Sequence, residues 1–406
     1  MSTPAAARIR AGGIAAAIIL AWIGLVSATT LWYGHDDLHD YHRAITAWLA
    51  GQPLYDITDA QRAFDLPPVA AVVLIPAIVW PPSVTTGIMT ALSLLALLLC
   101  VRVCFAAPVR AIRFNDWRVW PAIVIAVLAL DPVRHALGLG QLTLITMAVV
   151  LVDLIVIARG HRWGGIGTGL AVAVQPALGI LIVFLLVTRR WRAGLTATGI
   201  VTAITVAGLL FIPEATGYYL TDVLFTPGST GRLSEVNNQA LSGVLARLYE
   251  TGSDPAITWL GFALFTAVWG LAHARDAHFR GNRLTAVTIA GLTAALVSPV
   301  SWTHQFVWII PAMAVLLWWA MTDPPARHRP GLFDRTWGRW GITAGFWLWF
   351  VISPIDWGAG GPWQLLTDNA YLLAAIMLIS ILPKAAHRSD ADGYAVERSS
   401  GMNRAG

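Results

Sequence analysis

The chain reads as a series of apolar runs separated by short polar breaks. Runs occur at Ile14–Trp32, Pro68–Trp80, Val84–Val103, Val119–Leu130, Leu142–Ile157, Ile166–Val187 and Leu195–Ile212. More follow at Ile257–Ala272, Leu284–Val297, Phe306–Trp319, Ile342–Ile352 and Tyr371–Leu382. A bilayer crossing takes roughly 20 apolar residues, fewer where the helix is broken or the bilayer thins. The pattern predicts an all-α polytopic membrane protein with about 12 transmembrane helices. A single transmembrane domain would cover residues 1–383, with Ile14–Trp32 as a retained first span. The polar stretch 384–406 reads as a disordered cytoplasmic tail.

Composition supports the membrane reading and removes others. Hydrophobic residues make up 57% of the 406 and charged residues only 12%, where a soluble domain carries about a quarter charged. The net charge of +5 is carried almost wholly by arginine, Lys384 being the one lysine. The arginines stand in short clusters between apolar runs, which fits a positive-inside bias in the cell membrane rather than a nucleic-acid surface. With the N-terminus inside, the polar loops near 35–67, 213–254 and 298–305 fall on the extracytoplasmic side. One conflict stands: Arg159/Arg162 and Arg189/Arg190 flank the run Ile166–Val187, and one crossing cannot have both ends inside. Either the run is a broken pair of half-spans, interrupted at "VQPA", Val174–Ala177, or one arginine cluster lies outside. Cys100 and Cys104 lie one helical turn apart on one apolar run and read as packing residues.

The stretch "GHDDLHDYH", Gly34–His42, gathers three aspartates and three histidines just past the first run. Leu38, Tyr41, Ile45, Trp48 and Leu49 recur at helical spacing, which predicts an amphipathic helix along the membrane surface, ended by Gly51 and Pro53. Its acids have three readings. They are solvated loop charges; or, with His35 and His39 four apart on one face, part of a metal site, although the glutamate of H-E-x-x-H is absent; or one of them is a general base. A carboxylate suits the last role, because it is ionised at neutral pH and can accept a hydroxyl proton as that oxygen attacks. A low-dielectric setting would raise its basicity.

Further polar candidates lie at the ends of later runs. In "SWTHQF" His304 opens an apolar segment, and an ionisable residue at a span end is a functional candidate by default. Asn237, Asn238 and Gln239 supply the paired donors and acceptors that sugar hydroxyls need. Gln141 in "LGLGQLT" and Gln175 in "AVQPALG" break spans, and Arg134 and His135 stand near Gln141 as possible phosphate ligands or interface anchors.

The ordered set "DLHDYHRAITAWLAGQPLYD", "PPVAAVVLIP", "LGLGQLTLITMAVVLVDL", "VQPALGILIVFLLVTRRWRAG", "NNQALSGVLARL" and "SPVSWTHQF" resembles the family 87 glycosyltransferases, the polyprenol-phosphate-mannose-dependent α-mannosyltransferases. Within that family it is most similar to members that build α-1,2-mannosides on phosphatidylinositol mannosides. The resemblance runs over roughly Ile14–Leu382. It implies a C-type glycosyltransferase fold, with amphipathic helices in the extracytoplasmic loops and an essential aspartate in the first of them. The donor implied is β-mannosyl phosphate on a polyprenol, the acceptor a mannosylated glycolipid, and the reaction inverts. The family's Asp-x-x-x-Tyr falls on Asp37 and Tyr41, but Asp40 replaces the commoner apolar residue, so the base is Asp37 or Asp40, with Arg43 on the same helix. Ser-Trp-x-His falls on Ser301, Trp302 and His304. The usual Lys-Pro reads Gln175-Pro176 here, so the phosphate role would pass to Arg134, Arg232 or His304.

No metal, nucleotide or other cofactor is expected, since phosphate is a stable leaving group and no Gly-rich phosphate loop is present. Two other classes fit polytopy. A glycolipid transporter or flippase would show paired inverted halves with acids at mid-membrane. A metal-dependent membrane hydrolase would use the His35/His39 pair.

Overall fold

A computed structural model describes residues 34–55, 64–111, 119–157, 162–224, 233–249, 256–322, 336–355 and 360–384, together with Gly24 and Trp357. The expected first span Ile14–Trp32, Arg159, Arg232 and the tail beyond Lys384 lie outside the described residues.

The described chain is helical, and its only β pairing is an isolated bridge between Asn238 and Trp302. Helix α1 covers Asp36–Leu49, α2 Pro68–Ile78, α3 Pro82–Cys104 and α4 Val119–Leu128. Next come α5 Asp131–Gly138, α6 Thr143–Leu151, α7 Ile166–Val174, α8 Ile180–Val187 and α9 Trp191–Phe211. The second half holds α10 Leu241–Leu248, α11 Ala256–Phe279, α12 Arg283–Val297, α13 Ile309–Met321, α14 Thr336–Ile352 and α15 Ala370–Ile381.

Helix ends follow local chemistry. Prolines open α2, α3 and α5 within their first two positions, where the missing N–H has no intrahelical partner to lose. The run Ile166–Val187 breaks where Gln175-Pro176 stands: α7 stops at Val174, a 3₁₀ turn takes Pro176–Gly179, and α8 resumes at Ile180. Asp153 caps α7 from a distance. It accepts from the amides of Gly165 (2.9 Å) and Thr168 (2.8 Å) and from the Thr168 hydroxyl (2.6 Å), placing a carboxylate at the positive end of a helix.

Among the described residues, four helical segments are long and apolar enough to cross a membrane: Pro82–Cys104, Trp191–Phe211, Ala256–Phe279 and Thr303–Met321. A fifth is the pair α4 and α5, if a bend of 77° is allowed within one span. Other apolar helices are shorter, Pro68–Ile78 and Ala370–Ile381 among them. Among the described residues, length and composition alone therefore do not reach about 12 crossings, because proline, glycine and polar breaks divide several runs. Phe211, Ile257 and Phe265 are 82%, 88% and 70% exposed. Apolar side chains bared along whole helix faces belong against lipid, and this is a helical membrane protein.

The interior holds two apolar clusters. The larger one gathers residues from α3, α6, α8, α12, α13 and α15. The smaller lies between α1, α2 and the start of the second long loop, around Leu38, Tyr41, Ile45, Leu74, Leu142 and Tyr219. The second loop continues the helical path rather than opening as coil: Pro213–Tyr218 is α-helical and Tyr219–Val223 is a π turn.

Candidate active site

The first functional element is α1. Leu38, Tyr41 and Ile45 are buried, so the face predicted for a membrane surface seats on protein instead, although Leu49 stays 56% exposed. The helix starts against the end of α5. The His35 amide donates to the Gly138 carbonyl (2.9 Å) and the Leu38 amide to the Leu139 carbonyl (3.1 Å). Groups left open at one helix start and one helix end thus satisfy each other. Gly140 makes the contact possible, for its φ is +75° and a Cβ there would lie 2.7 Å from the Leu38 Cβ.

This seating brings Gln141 under the acidic face of α1. The Gln141 amide donates to the Asp37 carboxylate and also lies 3.3 Å from the Tyr41 hydroxyl. The Tyr41 hydroxyl in turn is 3.5 Å from Asp65 Oδ1. Burial is the main cause that raises the Asp37 carboxyl to about 6, the Gln141 bond opposing it and the charges of Asp40 and Asp36 adding to it. Asp65 is also raised to about 6, first by burial and then by Asp37. Burial holds the Tyr41 phenol well above its ordinary value.

Tyr41, Asp65 and Gln141 form one wall of a cavity of about 170 Å³. Gln175, His304 and Gln305 face it from other elements, and Tyr219, Trp302 and Trp308 add aromatic surface. Gln175 is fixed by the Thr146 hydroxyl, which donates to its Oε1 at 2.6 Å. His304 is buried in the 3₁₀ turn Thr303–Trp308 that leads into α13, and among the described residues its Nδ1 has no hydrogen-bond partner. Trp308 fits because Gly291 of α12 carries no side chain; a Cβ there would lie 2.1 Å from the indole. Pro67, Pro176, Tyr219 and Leu224 also border a second cavity, an apolar groove of about 430 Å³ bounded by α2, α7 and α9. Among the described residues no arginine or lysine lines either space.

The remaining candidates fall elsewhere. Asp40 pairs with Arg43, whose side chain is 56% exposed, and neither lines the cavity. Arg134 is tied to Asp131 (3.2 Å) and to the Val351 carbonyl (2.9 Å). Asp131 also faces His135 Nδ1 (3.2 Å) and accepts from the Tyr371 hydroxyl (2.8 Å). Asn238 and Gln239, read from the sequence as sugar ligands, are fully buried and their polar groups are taken. The Asn238 Oδ1 accepts from the Ser301 amide (3.1 Å) and its Nδ2 donates to the Leu233 carbonyl (3.0 Å). Gln239 donates to the Asp368 carbonyl (2.7 Å) and accepts from the Tyr371 amide (3.0 Å). They join the second loop to the third and to α15, which positions Trp302 and His304. Asn237 is exposed and outside the cavity wall. His35 turns its Nε2 to the Thr90 hydroxyl (3.2 Å) while His39 is exposed. Among the described residues no three metal-ligating side chains converge.

Asp65 is the residue that sequence reading passed over. It stands outside the conspicuous acidic cluster, and its one signal is position: an acid just ahead of Pro67-Pro68, where the chain must be extended before a helix begins.

Comparison with known proteins bears on this arrangement. The model of Glycosyltransferase family 87 matches residues 64–299, which includes Asp65, Gln141 and Gln175 but neither Asp37 nor His304. A polyprenol-phosphate-mannose-dependent alpha-(1-2)-phosphatidylinositol pentamannoside mannosyltransferase of Mycobacterium tuberculosis is 30% identical over 315 residues, 76% of this chain and 70% of the relative. A polyprenol-phosphate-mannose-dependent alpha-(1-2)-phosphatidylinositol mannoside mannosyltransferase of the same species is 28% identical, over 73% of this chain and 74% of its own. The Mycolicibacterium smegmatis pentamannoside mannosyltransferase is 27% identical, over 84% and 83%. No solved structure matches the chain at a significant level. With its helical membrane fold, a family match over more than half its length and relatives aligned along most of theirs, the chain belongs to glycosyltransferase family 87.

Proposed function

We propose that this protein transfers mannose from polyprenol-phosphate-mannose to a phosphatidylinositol mannoside or a related lipoglycan, forming an α-1,2-mannoside with inversion, and that Asp37 is the general base. The observation that carries this reading is the coupling of a half-buried carboxylate to a polar cavity that shares its rim with an apolar groove. Gln141 and Tyr41 belong both to the cavity wall and to the surroundings of Asp37. The groove is the right chemistry for the first isoprene units of a lipid carrier, with the sugar phosphate at the shared rim of Pro67, Pro176, Tyr219 and Leu224. The relatives' names supply the donor and acceptor.

In the reaction, an acceptor hydroxyl attacks the anomeric carbon from the face opposite the phosphate. The C–O bond to phosphate breaks and its electron pair leaves with the phosphate, while the hydroxyl proton passes to the Asp37 carboxylate. Asp37 suits this better than Asp40. Its basicity is raised by burial, whereas Asp40 is engaged by Arg43 at the surface. His304 and Gln175 line the cavity where the family's lysine is missing, and as side chains with N–H donors they would meet the phosphate oxygens. The C-type fold with about 12 crossings, and a site open to the extracytoplasmic face of the cell membrane, complete the proposal.

The test is transfer from synthetic polyprenol-phosphate-mannose to a mannosylated phosphatidylinositol by purified protein, with the product's linkage and anomeric configuration read by NMR. Wild type should form the α-1,2-mannoside. Absence of transfer by wild type, or a β product, would overturn the reading.

A further inference from the structure

We propose that Asp65 is a substrate-binding carboxylate, holding hexose hydroxyls on the cavity wall that it shares with Tyr41 and Gln141. This deepens the mannosyl-transfer reading and rests on it for the identity of the sugar.

Three observations carry the inference. First, Asp65 itself lines the cavity, whereas Asp37 adjoins it through Gln141 and is not one of the lining residues. Second, no cation among the described residues pairs with Asp65. Its side-chain partner is the Tyr41 hydroxyl at a long 3.5 Å, so lone pairs remain for a ligand. Asp65 is half-buried, and a carboxylate partly drawn out of water without a cation is costly to a folded chain, so a neutral residue would serve packing better. Third, its setting is built. Phe64 packs edge-on against Tyr41 with ring centroids 5.5 Å apart. The next residue, Leu66, is fixed through its carbonyl, which accepts from the Tyr55 hydroxyl at 2.8 Å. Tyr55 is itself stacked on Tyr218. The carboxylate is therefore held at one place on the wall, facing a cavity with aromatic surface on its other side. An ionised acid accepting from vicinal hydroxyls, with rings against the apolar face of the sugar, is chemistry that recognises a pyranose.

The sugar is that of the donor or that of the acceptor, and both present the same hydroxyls. The two are separated by assaying Asp65→Asn and Asp65→Ala with two sets of analogues: polyprenol-phosphate-mannose lacking single hydroxyls, and mannosylated acceptors lacking single hydroxyls. The expected result is at least a tenfold rise in KM for one of the two substrates with kcat changed far less. For that substrate, one deoxy position should be penalised in wild type and unpenalised in Asp65→Ala. Saturation-transfer NMR with methyl α-mannoside and its deoxy forms reads the same contact without turnover, so the inference is tested even if mannose transfer itself is not observed. Melting of Asp65→Ala should occur at or above the wild-type temperature, because a half-buried acid without a cationic partner among the described residues has been removed. Unchanged KM and unchanged deoxy penalties in both series would overturn the proposal. So would a hundredfold loss of kcat at constant KM, which would make Asp65 the base instead.

Discussion

The side-chain amide of Gln141 donates to the carboxylate of Asp37 across 104 residues of sequence. A donor aimed at the charged form favours ionisation, against burial that disfavours it. Gln141→Leu removes the favourable part only. Activity in wild type should rise with pH through about 6, as Asp37 loses its proton, and then level off. In Gln141→Leu the same limb should move to higher pH, and a pH–kcat/KM series checks the direction.

Asp37→Asn removes the proposed base and should cost about 10²–10⁴-fold in kcat with little change in KM. Asp40→Asn breaks the pair with Arg43 and removes one charge that raises Asp37, and should stay within a few-fold of wild type. Equal losses in the two variants would show that the acidic cluster acts as a whole.

Asp37 and Asp65 also set a pH dependence of stability. Both have carboxyls raised in the folded protein to about 6 from an ordinary value near 4. Between these values the folded state holds more protons than the unfolded one, so stability falls as pH rises through that window. Asp37→Asn should therefore gain melting temperature over wild type at pH 7.5 and gain little at pH 4, measured in detergent by calorimetry.

Gly140→Ala should be inactive out of proportion to its size. The added methyl would collide with Leu38 at 2.7 Å and sit on a backbone of positive φ. Helix α1 must lift, and Asp37 then loses Gln141. Loss of protection of the His35 and Leu38 amides in hydrogen exchange would report the displacement.

Asn238→Ala distinguishes a scaffold from a ligand. It leaves the buried Ser301 amide without its acceptor, which costs about 1–3 kcal/mol per unsatisfied group. A lower melting temperature is expected, with KM for both lipids unchanged in the protein that remains folded.

Apolar runs made most helices legible, since α2, α3, α11 and α15 fall where the runs do. Crossing number was less legible, because a run does not show whether it bends, as α4 and α5 do by 77°. At the site, Tyr41, Gln141, Gln175 and His304 line one cavity, and Asp37 is bonded to Gln141 beside it. Asn238 and Gln239 are buried and tie loops together, which their type alone does not reveal: a donor-and-acceptor side chain is as useful for tying loops as for binding sugar. Asp65 was missed because chemistry was sought where acids cluster, while a single acid gains its meaning from the residues that the fold places opposite it.

The head-to-tail junction of α1 on α5 limits how the enzyme can be recombined. The proposed base sits upstream of the region that the family shares most recognisably, and the residues that aim it sit well inside that region. A loop transplanted from a relative, or a redesigned opening segment, will work only if residues 138–141 travel with it as one module.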